Sequence, residues 1–275
     1  MDDSEPARVR DPKFPAQNTR LRDIWDLVQQ LQSDLCFPQE IGMYYQAPSW
    51  HTARSVLDVG TGNGYFIDRL ARRFPEKQYT AIDTSPDFVE LADARLQRSP
   101  VTVECRDYFE ESGAYDFVVT RLFWQHVPSF KLDLALSRLS VLTRRHGSVL
   151  VMDAHDANRL FSPELPKFRD VIQAYSHRET AEGRCRDVCD VLVSWAERAD
   201  GWTIGYDATV IIPSAVPGYL EIFRHLYNLW LDLFEAIGEL KLDFAGARAE
   251  IAEAFASPSM YTQVGMRLLR LDREG

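Results

Sequence analysis

An acidic side chain at the end of a strand can accept both hydroxyls of a ribose, and bare backbone at glycines lets a ligand approach the start of a helix. Both devices occur in one stretch, Ser55 to Asp83. Ser55-Val56-Leu57-Asp58-Val59 has the apolar, β-branched character of a buried parallel strand and breaks at once into Gly60-Thr61-Gly62-Asn63-Gly64. Phe66, Ile67, Leu70, Ala71 and Phe74 then recur at helical spacing before Pro75. A second strand, Gln78 to Ile82, ends on Asp83. Strand, glycine turn, helix and strand-end acid form a unit that holds a nucleoside. A dinucleotide fingerprint needs a third glycine where this chain has Tyr65, which argues against a pyrophosphate and a nicotinamide oxidoreductase.

Val56-Leu57-Asp58-Val59-Gly60-Thr61-Gly62-Asn63-Gly64 resembles the first motif of the class I S-adenosylmethionine (SAM) dependent methyltransferases, small-molecule type. The resemblance implies that Gly60, Thr61, Gly62 and Gly64 hold the amino-acid tail and ribose side of SAM. It also implies that Asp58 orients the ammonium and that Asp83, with Thr84 beside it, takes the ribose hydroxyls. After a third strand, Val101 to Cys105, the family carries an acid for the adenine amino group and a neighbour that covers the ring. Asp107 matches the acid, and Tyr108 or Phe109 the cover. Tyr115 to Thr120 is the fourth strand, and its continuation to Pro128 is similar to the family's fourth motif. Thr120, Arg121 and Leu122 are then expected to border SAM through their backbone, with Phe123, Trp124, Gln125 and His126 facing the transferred group.

The activity so implied is in-line transfer of a methyl group to a small-molecule, biosynthetic acceptor. A phenol or amide acceptor wants a base, for which His126, Tyr45, His155 and Asp153 are the polar candidates. An amine that arrives neutral needs none. Tyr44, Trp50, Phe123, Trp124 and Gln125 are the candidate acceptor pocket. Two alternatives use the same motifs. The aromatics could stabilise a bent sulfonium while the ligand's own amino group closes azetidine-2-carboxylate and expels methylthioadenosine. The chain could instead be a non-catalytic SAM-binding protein.

Alternating strands and helices from 55 to 153 predict a Rossmann-like, seven-stranded, mostly parallel sheet with helices on both faces. Trp202 to Ile212 supplies a sixth strand, and Met260 to Leu271 an antiparallel seventh with a bulge at Gly265. The expected organisation is an irregular arm over 1–20, a helical cap or lid over 21–52, and a SAM-binding domain over 53–275. Cap segments interrupt that domain at about 155–200 and 214–257. The N-terminal helix is expected to fade by Pro38 and leave an aromatic loop, Met43 to Trp50; another helix should run from Leu132 to Arg145, capped by Gly147, and one from about Thr180 to Ala199. Tyr219 to Ile237 is a strongly apolar helix, suited to core, to the roof of a pocket or to a homodimer interface.

Thirty-one basic residues against 41 acidic ones give a net charge of −10, the wrong balance for a nucleic-acid substrate. Cys36, Cys105, Cys185 and Cys189 have neither disulfide-framework nor metal-ligand spacing, so reduced thiols and no metal are expected. The acidic opening Met1-Asp2-Asp3-Ser4-Glu5 is unlike a signal peptide, and no membrane-spanning window occurs. A cytoplasmic location is the expectation.

Overall fold

The computed structural model describes residues 19–186, 188–238 and 241–275. Most of the expected arm, residues 1–18, lies outside the described residues, and Thr19 and Arg20 already belong to helix α1 (Thr19–Gln46). This helix continues through Pro38, against the expected break. Proline removes one backbone donor, but Leu35, Cys36, Met43 and Tyr44 on either side are buried, and that packing keeps the helix going. The expected aromatic loop is helical too. It forms the last turn of α1 and then α2 (Pro48–Thr52).

Strand β1 (Ser55–Val59) leads to α3 (Tyr65–Arg73), β2 (Gln78–Asp83), α4 (Pro86–Leu96), β3 (Val101–Cys105) and β4 (Tyr115–Arg121). Ser85 caps α4, its hydroxyl accepting from the Phe88 N–H, with Pro86 in the first turn. Next come α5 (Leu132–Leu142) and β5 (Thr143–Ser162). The expected helix end at Arg145 is corrected: Gly147 lies inside β5, because Thr143 already pairs with Tyr115. The helix expected over 180–199 is also divided. Helix α6 (Pro166–Ala181) reaches into it, Gly183 turns left-handed, and α7 (Val188–Ala196) resumes. Strand β6 (Trp202–Pro213), α8 (Tyr219–Ile237), α9 (Phe244–Ala256) and β7 (Tyr261–Arg273) complete the chain.

The sheet order is β3-β2-β1-β4-β5-β7-β6. The first five strands run parallel, and β7 lies antiparallel between β5 and β6. Successive residues face opposite layers, as the pleat requires. Val56, Val119, Leu150 and Leu268 meet helices α1, α3 and α8, whereas Leu57, Val118, Val149 and Leu269 meet α5 and α7. Each such side chain contributes roughly 1.5–3 kcal/mol on burial. The broad apolar face of α8 is filled within the chain, where Phe223, Leu226, Tyr227 and Leu233 are buried.

The bulge expected at Gly265 falls across the ladder, in β5. Pairing jumps from His155 opposite Gly265 to Leu160 opposite Gln263, so Asp156 to Arg159 swing out against Val264 alone. Gly265 makes room for this, since a Cβ there would stand 2.6 Å from Asn158 Cβ and 2.9 Å from the His155 carbonyl oxygen.

Candidate functional site

Parallel strands leave a crevice beyond their carboxyl ends. Here it is a cavity of about 1060 Å³, floored by the glycine turn, closed by α1 and roofed by α8. Gly60, Gly62 and Gly64 all adopt left-handed backbone. At Gly62 the need for glycine is double: φ is +56°, and a Cβ would run into the Gln29 amide of α1. Gln29 Oε1 accepts from the Asn63 N–H at 2.7 Å, and the Asn63 side chain donates to Asp26 Oδ1, also at 2.7 Å. These bonds fasten α1 onto the turn.

Asp83 Oδ2 accepts from the Gly62 N–H and Oδ1 from the Ser85 N–H, both at 2.9 Å. A carboxylate offers about four lone-pair sites, so acceptor capacity remains for ribose hydroxyls. Burial pushes the Asp83 carboxyl up, and the backbone donors of Ser85, Gly62 and Thr84 oppose it. Burial raises Asp58 to about 7, against the pull of Thr61 and Arg121. Asp58 Oδ2 has no hydrogen-bond partner among the described residues. A buried, unpartnered carboxylate oxygen on a cavity wall fits a cationic ammonium. Asp107 lines the same end, its Oδ1 accepting from the Phe109 N–H at 2.9 Å, and Tyr108 donates its hydroxyl to the Ala135 carbonyl at 2.8 Å.

At the end of β4 the Arg121 guanidinium donates to Glu40 of α1 at 2.9 Å, with both side chains buried. Burial raises Glu40, and Arg121 only partly reverses it. Leu122 then takes φ 53°, a strained left-handed turn for a bulky residue, while its N–H donates to the Met152 carbonyl at 2.7 Å. The turn sets the Phe123 ring so close to Gly60 that a Cβ there would be 3.0 Å from it.

Asp58, Gly60, Thr61, Gly62, Asp83, Thr84, Asp107, Tyr108 and Arg121 therefore line one cavity, together with Phe123, Gln125 and His126. Other candidates lie elsewhere. Gly64 starts α3 and is wedged against Ala92 and Leu96. Thr120 is fully buried and accepts from Trp124 Nε1 at 2.8 Å, both lying in the core beneath the strand end. Tyr44 and Trp50, with ring centroids 4.6 Å apart, pack on Phe74 and Phe117. Trp50 sits where β1 begins, its carbonyl accepting from the buried Lys77, at the opposite end of the strands from the cavity. Tyr45 is exposed and packs on Phe74 under Arg73. His155 is paired with the Asn158 side chain at 2.6 Å, off the cavity wall. The aromatic cage expected from Tyr44, Tyr45, Trp50, Phe123 and Trp124 is thus not assembled; Phe123 alone of the five reaches the cavity.

Sequence reasoning missed two sets of lining residues. Trp25, Gln29, Gln32 and Cys36 form a stripe on α1. Their spacing of four, three and four beside the apolar stripe was the available signal. The second set comes from the β5 bulge, α6, the α6–α7 turn and α8. Asp156 accepts from Arg159 at 2.8 Å and from Arg186 at 2.7 Å, and Arg186 also donates to Gln125. Burial pushes Asp156 up, but the two guanidiniums outweigh it and hold it down at about 2.

Residues 56–147 match the family model for a methyltransferase domain. That segment carries the glycine turn, Asp83 and Asp107 of the cavity. A malonyl-[acyl-carrier protein] O-methyltransferase of Anoxybacillus flavithermus is 30% identical over 102 residues, 36% of this chain and 39% of that protein. A release factor glutamine methyltransferase of Koribacter versatilis is 45% identical over 70 residues, 24% of this chain and 25% of that one. The chain therefore spans less than half the length of these curated relatives. A plantazolicin methyltransferase solved in complex with SAH shares the fold, with 14% identity, a TM-score of 0.57 and coverage of 96% of this chain and 95% of that one. No helix among the described residues is long and apolar enough to cross a membrane.

Proposed function

We propose that this protein is a SAM-dependent methyltransferase acting on a small-molecule acceptor. The observation that carries the reading is the continuity of a single cavity, from the glycine turn and Asp83 to the apolar roof of α8. Its volume of about 1060 Å³ reaches the top of the range of about 300–1,000 Å³ for one small-molecule site. Room is left for an acceptor beside the cofactor.

The residues present fit SAM. Asp58, with its unpartnered oxygen, suits the ammonium; the spare acceptor capacity of Asp83 suits the ribose; Asp107 suits the adenine amino group. Bound SAM supplies an electrophilic methyl group on a sulfonium. The protein's own work is orientation and exclusion of water. Helix α1 covers the glycine turn through Gln29 and Asp26, and the Arg121–Glu40 pair holds that cover to the sheet. Of the candidate bases, His126 reaches the cavity wall, which supports it for proton removal when the acceptor is an acid such as a phenol.

The test is mass spectrometry of the purified protein with SAM alone and then with candidate acceptors. S-adenosylhomocysteine formed only when an acceptor is present supports the proposal. Methylthioadenosine released without any acceptor would overturn it.

A further inference from the structure

The far end of the cavity has the opposite charge to the nucleoside end. Two guanidiniums, Arg159 and Arg186, share the single carboxylate of Asp156. The nearest other acid, Asp153, turns away: its oxygens accept from the backbone N–H groups of Gln125 and Ala154, and it does not line the cavity. Arg186 is fully engaged with Asp156 and Gln125. Arg159 is not. Its Nη2 donates to Asp156, but Nε and Nη1 meet no acceptor among the described residues while shielded from bulk water.

Buried guanidinium donors normally find a carbonyl or carboxylate. Leaving them unpaired is costly, and an anion that supplies the acceptor relieves the cost. The plane of Arg159 is held in place, with its Cζ 5.0 Å above the Trp230 ring. The same cavity is also lined by the uncharged Ile172, Leu226 and Leu233.

We propose that Arg159 receives an anionic group of the acceptor, a carboxylate or a phosphate monoester, whose apolar body lies along Trp230 and the α8 roof. The acceptor class is then an amphipathic anion. This deepens the methyltransferase reading and rests on it.

The test uses isothermal titration of the full chain saturated with S-adenosylhomocysteine. Three probes share one phenylpropyl body: 4-phenylbutyrate, the neutral 4-phenylbutyramide and 3-phenylpropyl phosphate. At least one anion should bind tenfold or more tightly than the amide, and the tighter of the two identifies the group recognised. Arg159→Met keeps the aliphatic stem and leaves Asp156 paired with Arg186; it should abolish that preference without changing affinity for S-adenosylhomocysteine. Arg159→Lys should restore part of it. Equal binding of anions and amide by the native protein overturns the proposal, as does a preference that survives in Arg159→Met. Should Arg159→Met fail to fold, the anion-to-amide ratio of the native protein remains decisive. Failure of the protein to bind S-adenosylhomocysteine would count against the methyltransferase reading instead, and the same titrations without it still report the anion preference.

Discussion

The two ends of the cavity are built in opposite ways. At the nucleoside end, Asp58, the glycine turn, Asp83 and Asp107 each lie at or just beside the end of one strand, and backbone amides do much of the holding. At the far end, Arg159 on a strand bulge, Arg186 between two helices and Trp230 on α8 come from distant parts of the chain. The first end offers the carboxylates of Asp58, Asp83 and Asp107, the second two guanidiniums and an indole. A site made from backbone turns needs only local sequence to form, whereas a site made from side chains depends on long-range packing being right. The contrast leads to tests that strike one end and spare the other.

The largest effect is expected at the seam that serves both. Arg121→Met leaves the Glu40 carboxylate buried without its partner, and loss of one member of such a pair costs about 3–5 kcal/mol. Chemical denaturation should show that loss, and the double variant with Glu40→Leu should recover most of it. A loss below about 1 kcal/mol would mean that α1 is held by other contacts. Asp83→Ala should strike the nucleoside end alone. Removing its charged acceptor from the ribose should cost about 2–3 kcal/mol, roughly 30- to 150-fold in the Kd for SAM. Isothermal titration measures this, and anion binding at the far end should be unchanged.

The same contrast explains what was legible in the sequence. All seven strands could be read from apolar runs and their punctuation, and so could the antiparallel last one. The nucleoside end could be read because its residues sit at strand ends in sequence order. Tyr44, Trp50 and Trp124 were misjudged because an aromatic near a strand looks alike in sequence whether it faces a cavity or the core, and here the core claims them. Arg159 was invisible for a different reason. Its place depends on four residues of β5 opposing Val264, and on Gly265 across the ladder permitting it, a register decided by residues about a hundred positions apart.

That dependence predicts the next effect. Gly265→Ala would set a Cβ 2.6 Å from Asn158 Cβ and must displace the bulge. Overpacking of this kind costs about 1–3 kcal/mol. Thermal unfolding should register the loss, and anion binding should weaken as Arg159 shifts, with SAM affinity intact. Simultaneous loss of SAM affinity would show the two ends to be mechanically one.

The smallest effect is a matter of pH and belongs to Asp58. Burial raises its carboxyl to about 7, so between pH 6 and pH 8 it passes from mostly neutral to mostly ionised. The α-ammonium of SAM, which itself loses its proton near pH 8, is attracted only to the ionised form, so affinity should tighten from pH 6 to about pH 7.5, by roughly fivefold, and level off above it. Stability of the ligand-free protein should move the other way. A carboxyl raised in the folded state favours folding below its unfolded value near 4, and that contribution is lost as the pH climbs through about 7. Titration of SAM and denaturation of the apoprotein across this window should therefore give slopes of opposite sign. Asp58→Asn should flatten both, and a pH dependence of SAM affinity that persists in this variant would assign the titrating group to another residue.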